Sequence, residues 1–112
     1  MKSLQDALKD QDAVISVLGM RGMEYQPTLI DAASDVGVKW FFPSEFGHNT
    51  GSEIVCTFIP ALAEKRKIIE KLVEKENGGM CWTAVITGYF FDRVRIRTPH
   101  SRRLRLRAHE YD

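Results

Sequence analysis

Apolar residues along the chain fall into two kinds of pattern. Three short runs are almost continuously apolar: Val14-Ile15-Ser16-Val17-Leu18, Val38-Lys39-Trp40-Phe41-Phe42, and residues 82–87. Short runs of this kind are the signature of strands buried on both faces in a parallel sheet. Between them the apolar positions recur every three or four residues, as on one side of a helix. Leu4, Ala7 and Leu8 share a side in a first short helix, opened by Ser3-Leu4-Gln5-Asp6, which resembles a capping box with Asp in place of Glu. Leu29, Ala32, Ala33 and Val36 share a side in a second, with Pro27 suited to its first turn and Gly37 to its end. Pro43 stops the second strand, and a polar loop follows to about Glu53.

The third helical stretch, residues 58–73, carries Phe58, Ala61, Leu62, Ile68, Ile69, Leu72 and Val73 on one side at about 100° per residue. Lys65 falls near the centre of that arc, while Glu64, Lys67, Glu70, Lys71 and Glu74 fall on its flanks or the far side. A lysine aimed inward is desolvated, and its pKa is expected to fall toward the range useful for proton transfer. The competing reading is a long stem that snorkels to the helix edge. Asn77-Gly78-Gly79 ends this helix. The order helix, strand, helix, strand, helix, strand predicts right-handed βαβ crossovers in a three-layer α/β fold with a short parallel sheet.

Composition adds limits. At 112 residues, with 44% hydrophobic and 28% charged residues, the chain has the make-up of one globular domain. No secretory or transit signal is expected from its first residues. The longest apolar stretch, residues 80–91, is too short to span a membrane. Cys56 and Cys81 lack metal-ligand spacing and read as free thiols of a cytoplasmic chain. His48, His100 and His109 are scattered, which argues against a metal site. The net charge of +1 hides a split: residues 1–92 hold 9 Lys/Arg and 13 Asp/Glu, and residues 93–112 hold 7 Arg and 2 acids. A change this abrupt marks a boundary at residue 92.

Several blocks then resemble one family in order. They are Asp12-Ala13-Val14-Ile15-Ser16-Val17-Leu18-Gly19, Gln26, Leu29-Ile30-Asp31-Ala32-Ala33, and Gly37-Val38-Lys39-Trp40-Phe41-Phe42-Pro43-Ser44-Glu45-Phe46-Gly47. Lys65, Trp82-Thr83-Ala84-Val85 and Gly88-Tyr89-Phe90-Phe91 continue the match. Together they resemble the NmrA-like and isoflavone-reductase-like group of atypical short-chain dehydrogenases, over roughly residues 1–92. The block ending in Pro-Ser-Glu-Phe-Gly is the specific one.

The resemblance implies a partial Rossmann-type domain that binds NADP(H), or in some members NAD(H). Leu18 and Gly19 would border the cofactor, with Pro43, Ser44, Glu45, Phe46, Gly88 and Phe90 beside the nicotinamide and a small-molecule substrate. This agrees with the rule that open parallel sheets bind ligands at the carboxyl ends of their strands. The lysine that aligns with Lys65 does acid–base work there, so the resemblance assigns catalysis to Lys65. The implied activity is an NAD(P)H-dependent reductase acting on a small aromatic or unsaturated molecule. The alternative is a non-catalytic regulator that senses the dinucleotide.

Other features have plain readings. Gly19-Met20-Arg21-Gly22 lacks the third glycine of a phosphate-cradling loop and reads as a plain loop. Ser44 and Glu45 could form a catalytic pair or a turn and cap device. Phe90 and Phe91 could line a pocket or simply fill the core. Ala61 stands where a typical short-chain dehydrogenase has the tyrosine of YxxxK, so Lys65 would act without that partner.

Two parts of the family pattern are not seen. One is the amino-terminal glycine-rich strand–turn–helix that holds a pyrophosphate. The other is the substrate-binding region after the last strand, where residues 93–112 form an arginine-rich tail, expected to be disordered. The chain is therefore expected to be a fragment that binds NADP(H) weakly or not at all and is inactive alone. The strand at residues 14–18 should be an open sheet edge, available for self-association. Nucleic-acid binding by the arginines has only their clustering to support it.

Overall fold

The structure, a computed structural model, describes residues 2–88. Phe90, Phe91 and the arginine-rich segment 93–112 lie outside the described residues.

Three short strands pair in parallel in the order β1-β2-β3: β1 Ala13–Ile15, β2 Trp40–Phe42 and β3 Cys81–Trp82. The register sets Val14 beside Phe41 and Phe41 beside Trp82. The α/β class and the parallel sheet expected from the alternation are both present. The third strand is shorter than its apolar run, and among the described residues pairing resumes at Ile86, opposite Gly47. Among the described residues four α-helices accompany the sheet: α1 Lys2–Leu8, α2 Gln26–Asp35, α3 Glu53–Phe58 and α4 Ala63–Glu76. Short 3-10 segments run over Met20–Tyr25 and Pro60–Leu62.

Both crossovers, β1-α2-β2 and β2-α4-β3, step in the same direction across the sheet. Right-handed connections of that kind bring their helices to one face. The helices α2 and α4 accordingly pack side by side and are tied by Lys71 and Lys75 of α4, whose Nζ atoms lie 2.8 and 2.9 Å from the Asp31 carboxylate of α2. Between these helices and the sheet lies the core of Val14, Met23, Ile30, Ala33, Val38, Phe41, Ile68, Leu72 and Met80. Burying a Phe, Ile or Leu this completely contributes roughly 1.5–3 kcal/mol each.

This arrangement corrects the expectation of strands buried on both faces. Along β1 burial alternates, with Val14 and Ser16 buried while Ile15 and Val17 remain 64% and 76% exposed. Trp40, next to Ala13 in the register, is also exposed. The reason is topological: two same-direction crossovers supply a layer of helices to one face only. β1 is also the outer strand in the sheet order.

Two helix boundaries differ from the sequence reading. The stretch at residues 58–73 is not one helix, because Pro60 breaks it. Ile59 takes an extended conformation (φ −130°, ψ 81°), as residues before proline prefer, and the α-helix restarts at Ala63. Phe58 therefore ends α3 as an exposed residue, and Ile68 and Leu72 carry the buried stripe of α4. Ser3 lies inside α1 rather than at its cap, and α1 is held by tertiary contact, including a Gln5–Asp35 hydrogen bond of 3.0 Å. The end of α2 follows the sequence reading. Gly37 has φ +80°, and the Val38 N–H donates to the Ala33 carbonyl at 3.0 Å. Among the described residues no helix is long and apolar enough to cross a membrane.

Candidate functional site

Parallel strands bring their carboxyl ends to one edge of the sheet. Leu18 and Gly19 follow β1 there, Pro43 to Phe46 follow β2, and Gly88 follows the Ile86 bridge. A network of buried polar contacts stitches these segments together. The Ser44 hydroxyl donates to the Leu18 carbonyl at 2.7 Å, joining the ends of β1 and β2. The Ser44 N–H donates to the side-chain oxygen of Gln26, also at 2.7 Å, joining that edge to the first residue of α2. Gly88 donates its N–H to the Gly47 carbonyl at 3.0 Å.

The turn after β2 is tight. The Glu45 N–H donates to the Pro43 carbonyl at 2.7 Å, and Phe46 follows with φ +36°, a left-handed conformation that a residue with a Cβ rarely adopts. Glu45 points inward and is 2% exposed. One carboxylate oxygen accepts from the Thr50 hydroxyl at 2.8 Å, while Oε1 is buried without a hydrogen-bond partner. Burial pushes the Glu45 carboxyl above the usual range, and the Thr50 hydrogen bond and the Lys65 charge offset this only in part. Of the two sequence readings of Ser44 and Glu45, the contacts are those of a turn device: both side chains are turned to the protein's own groups.

Lys65 approaches from α4. It lies on the same stripe as buried Ile68 and Leu72, and is half-buried rather than spread along the helix edge. Its ammonium donates to the Glu45 carbonyl at 2.7 Å. Beside it opens a cleft of about 500 Å³ between α4, the start of α2 and the Met20–Tyr25 segment. Met20, Met23, Pro27, Ala61 and Ile68 give the cleft its apolar lining, and Glu24, Glu64, Lys65, Lys67 and Lys71 its charged lining. Lys71 is committed to Asp31. Burial works to raise the Asp31 carboxyl, but the hydrogen bonds and charges of Lys71 and Lys75 outweigh it and hold that group below its ordinary value. Lys65 is thus bound to a neutral carbonyl, with two further ammonium hydrogens.

Of the residues singled out from the sequence, Leu18 and Ser44 are in contact, as are Glu45 and Lys65. Gly19 has open space where a Cβ would stand, and Pro43 is buried. Phe46 is half-buried, and Phe90 lies outside the described residues. Sequence reasoning gave no role to Gln26 or Thr50, both fully or almost fully buried. Gln26 could have been found, since it continues the Ile30–Ala33 stripe of α2 as a polar residue on an apolar face. Thr50 carries no such signal, because it sits in an aperiodic polar loop.

The model of the NmrA-like family matches residues 1–101 of this chain. The chain is 43% identical over 88 residues to "Oxidoreductase aprR" of Aspergillus flavus, which covers 78% of this chain and 30% of that protein. It is 36% identical over 93 residues to "Phenylcoumaran benzylic ether reductase PT1" of Pinus taeda, covering 79% and 30%. It is 35% identical over 89 residues to "Isoflavone reductase homolog IRL" of Zea mays, covering 79% and 28%. The chain thus spans less than a third of the length of these relatives.

Proposed function

We propose, from the premise that this chain belongs to the NmrA-like family, that it forms the Lys65 side of the active centre of a cytoplasmic NAD(P)H-dependent reductase. The observation that carries the reading is the meeting of Lys65 with the turn after β2. An ammonium on an apolar helix stripe, tied at 2.7 Å to a backbone carbonyl, borders an apolar cleft near the carboxyl edge of a parallel sheet. That edge is where open α/β sheets take their ligands. Similarity to proteins called oxidoreductase, phenylcoumaran benzylic ether reductase and isoflavone reductase homolog supports the same reading.

The chemistry of the residues present fits the nicotinamide end of such a cofactor. Gly19 leaves space at the end of β1, and the methionines and Pro27 offer an apolar wall of the kind that accepts a flat ring. In this proposal Leu18, Gly19, the residues of the turn after β2 and Gly88 border the cofactor, which when bound supplies the hydride. Lys65 holds the proton that a small aromatic or unsaturated substrate takes up on reduction. The Glu45 carbonyl occupies one ammonium hydrogen and leaves the others for a substrate oxygen. The apolar cleft wall keeps water from that proton. The tyrosine position of YxxxK, one turn before Lys65, is held by Ala61.

The test is an NADPH titration followed by NMR on a longer protein that contains this chain. The amide signals of Gly19, Ser44 and Gly88 should move together with the side-chain signals of Lys65. Absence of those shifts there overturns the reading. In the same longer protein, Lys65→Met should abolish turnover and spare NADPH binding. Binding without turnover in both forms would make it a dinucleotide sensor instead.

A further inference from the structure

We propose that Glu45 and Thr50 are positioning residues for Lys65, their buried side-chain hydrogen bond clamping the turn after β2 so that the Glu45 carbonyl faces the lysine ammonium. The inference rests on the reductase reading above and adds to it the device that aims the proton donor.

The turn is strained and needs holding. Phe46 sits at φ +36° directly after Glu45, and the Glu45 N–H closes a tight contact to Pro43 at 2.7 Å. A residue with a Cβ stays in that region only where its surroundings over-determine it. Upstream, the turn is fastened by the two Ser44 bonds to Leu18 and Gln26. Downstream, Gly47 is fastened by the Gly88 N–H. Glu45 and Thr50 are in turn fastened to each other by a side-chain hydrogen bond 2.8 Å long, with the two residues 2% and 1% exposed. The carbonyl that receives Lys65 belongs to the same Glu45. Side chain and carbonyl of one residue thus point to different partners: the first locks the loop, and the second orients the lysine.

The arrangement is unfavourable for folding on its own terms. A carboxyl is buried, one of its oxygens has no partner, and burial raises its titration above the ordinary range. A leucine or methionine of similar size would fill the space without that penalty. What the carboxyl provides instead is a directional bond to Thr50 that sets the rotation of its own peptide group.

Competitive acetylation of the purified full chain, read by mass spectrometry, tests the clamp. Lys9, an exposed lysine outside the cleft lining, is the internal reference. In the wild type Lys65 should react more slowly than Lys9. Thr50→Val removes the hydroxyl at constant shape and should speed Lys65 relative to Lys9 roughly fivefold, the factor represented by one ordinary hydrogen bond. Thr50→Ser keeps the bond and should hold the wild-type rate. A wild-type Lys65 that reacts as fast as Lys9 overturns the clamp without any variant. So does a folded Thr50→Val chain, checked by circular dichroism, with an unchanged ratio. Should Thr50→Val not fold, Thr50→Ala against Thr50→Ser gives the same contrast. NADPH added to a longer protein that contains this chain reports on the reductase reading separately. Failure to protect Lys65 while the Val and Ser variants differ overturns that reading and leaves the clamp standing. Protection with identical Val and Ser rates does the reverse.

Discussion

Glu45→Gln should make the protein more stable at neutral pH, by an amount that shrinks as the solution is acidified. The carboxyl is 2% exposed, and burial raises its titration in the folded chain above its ordinary value of 4.5. Between those two values the folded state binds more protons than the unfolded state, so stability falls as pH rises through that window. The limiting slope for one group is about 1.4 kcal/mol per pH unit. Below the ordinary value both states are protonated and the contribution is flat. Above the folded value the whole penalty is present and constant. Glutamine can keep the bond to Thr50 and never ionises, so the variant lacks this dependence. The assay is urea unfolding of both proteins across a pH series, with the difference in unfolding free energy plotted against pH. Asp31 titrates in the opposite sense, its stabilisation being lost as pH falls through its depressed folded value, but it is present in both proteins and cancels. The difference should rise with pH from about the ordinary glutamate value. Parallel stability profiles would refute the reasoning, since they would mean that Glu45 titrates alike in both states.

Further perturbations probe the rest of the structure. Phe41→Ala removes a fully buried ring at the middle of the sheet and should cost about 3–5 kcal/mol in urea unfolding. Asp31→Asn breaks the pair of contacts between α2 and α4. With the side chain 35% exposed, water screens these charges, so the loss at neutral pH should be only about 0.5–1 kcal/mol and should vanish at acid pH. Gly37→Ala forces a Cβ into the φ +80° end of α2 and should cost about 1 kcal/mol in the same assay. The exposed edge of β1 should support concentration-dependent self-association in analytical ultracentrifugation. Val17→Lys, which charges a side chain 76% exposed beside it, should weaken that association without unfolding the chain.

Much of this architecture is legible before any coordinates. The two periodicities mark the strands and helices, Gly37 marks the end of α2, and the wheel through Ile68 and Leu72 finds Lys65 on the buried side of α4. Pro60 is also legible as a break, but the apolar spacing across it mimics one continuous helix and gives Phe58 a place in a stripe it does not share. Gln26 had the same kind of signal as Lys65, a polar residue on an apolar face.

Periodicity reports which side of an element is buried, because burial alternates with the geometry of the element itself. It does not report against what. Only the sense of the two crossovers decides that α2 and α4 share one face of the sheet and leave Ile15, Val17 and Trp40 exposed on the other. Only the tertiary structure, likewise, joins Ser44 to Leu18 across 26 positions and Lys65 to the Glu45 carbonyl across 20. The partner of Lys65 is a backbone oxygen, a group every residue carries, so no side-chain pattern could have named it.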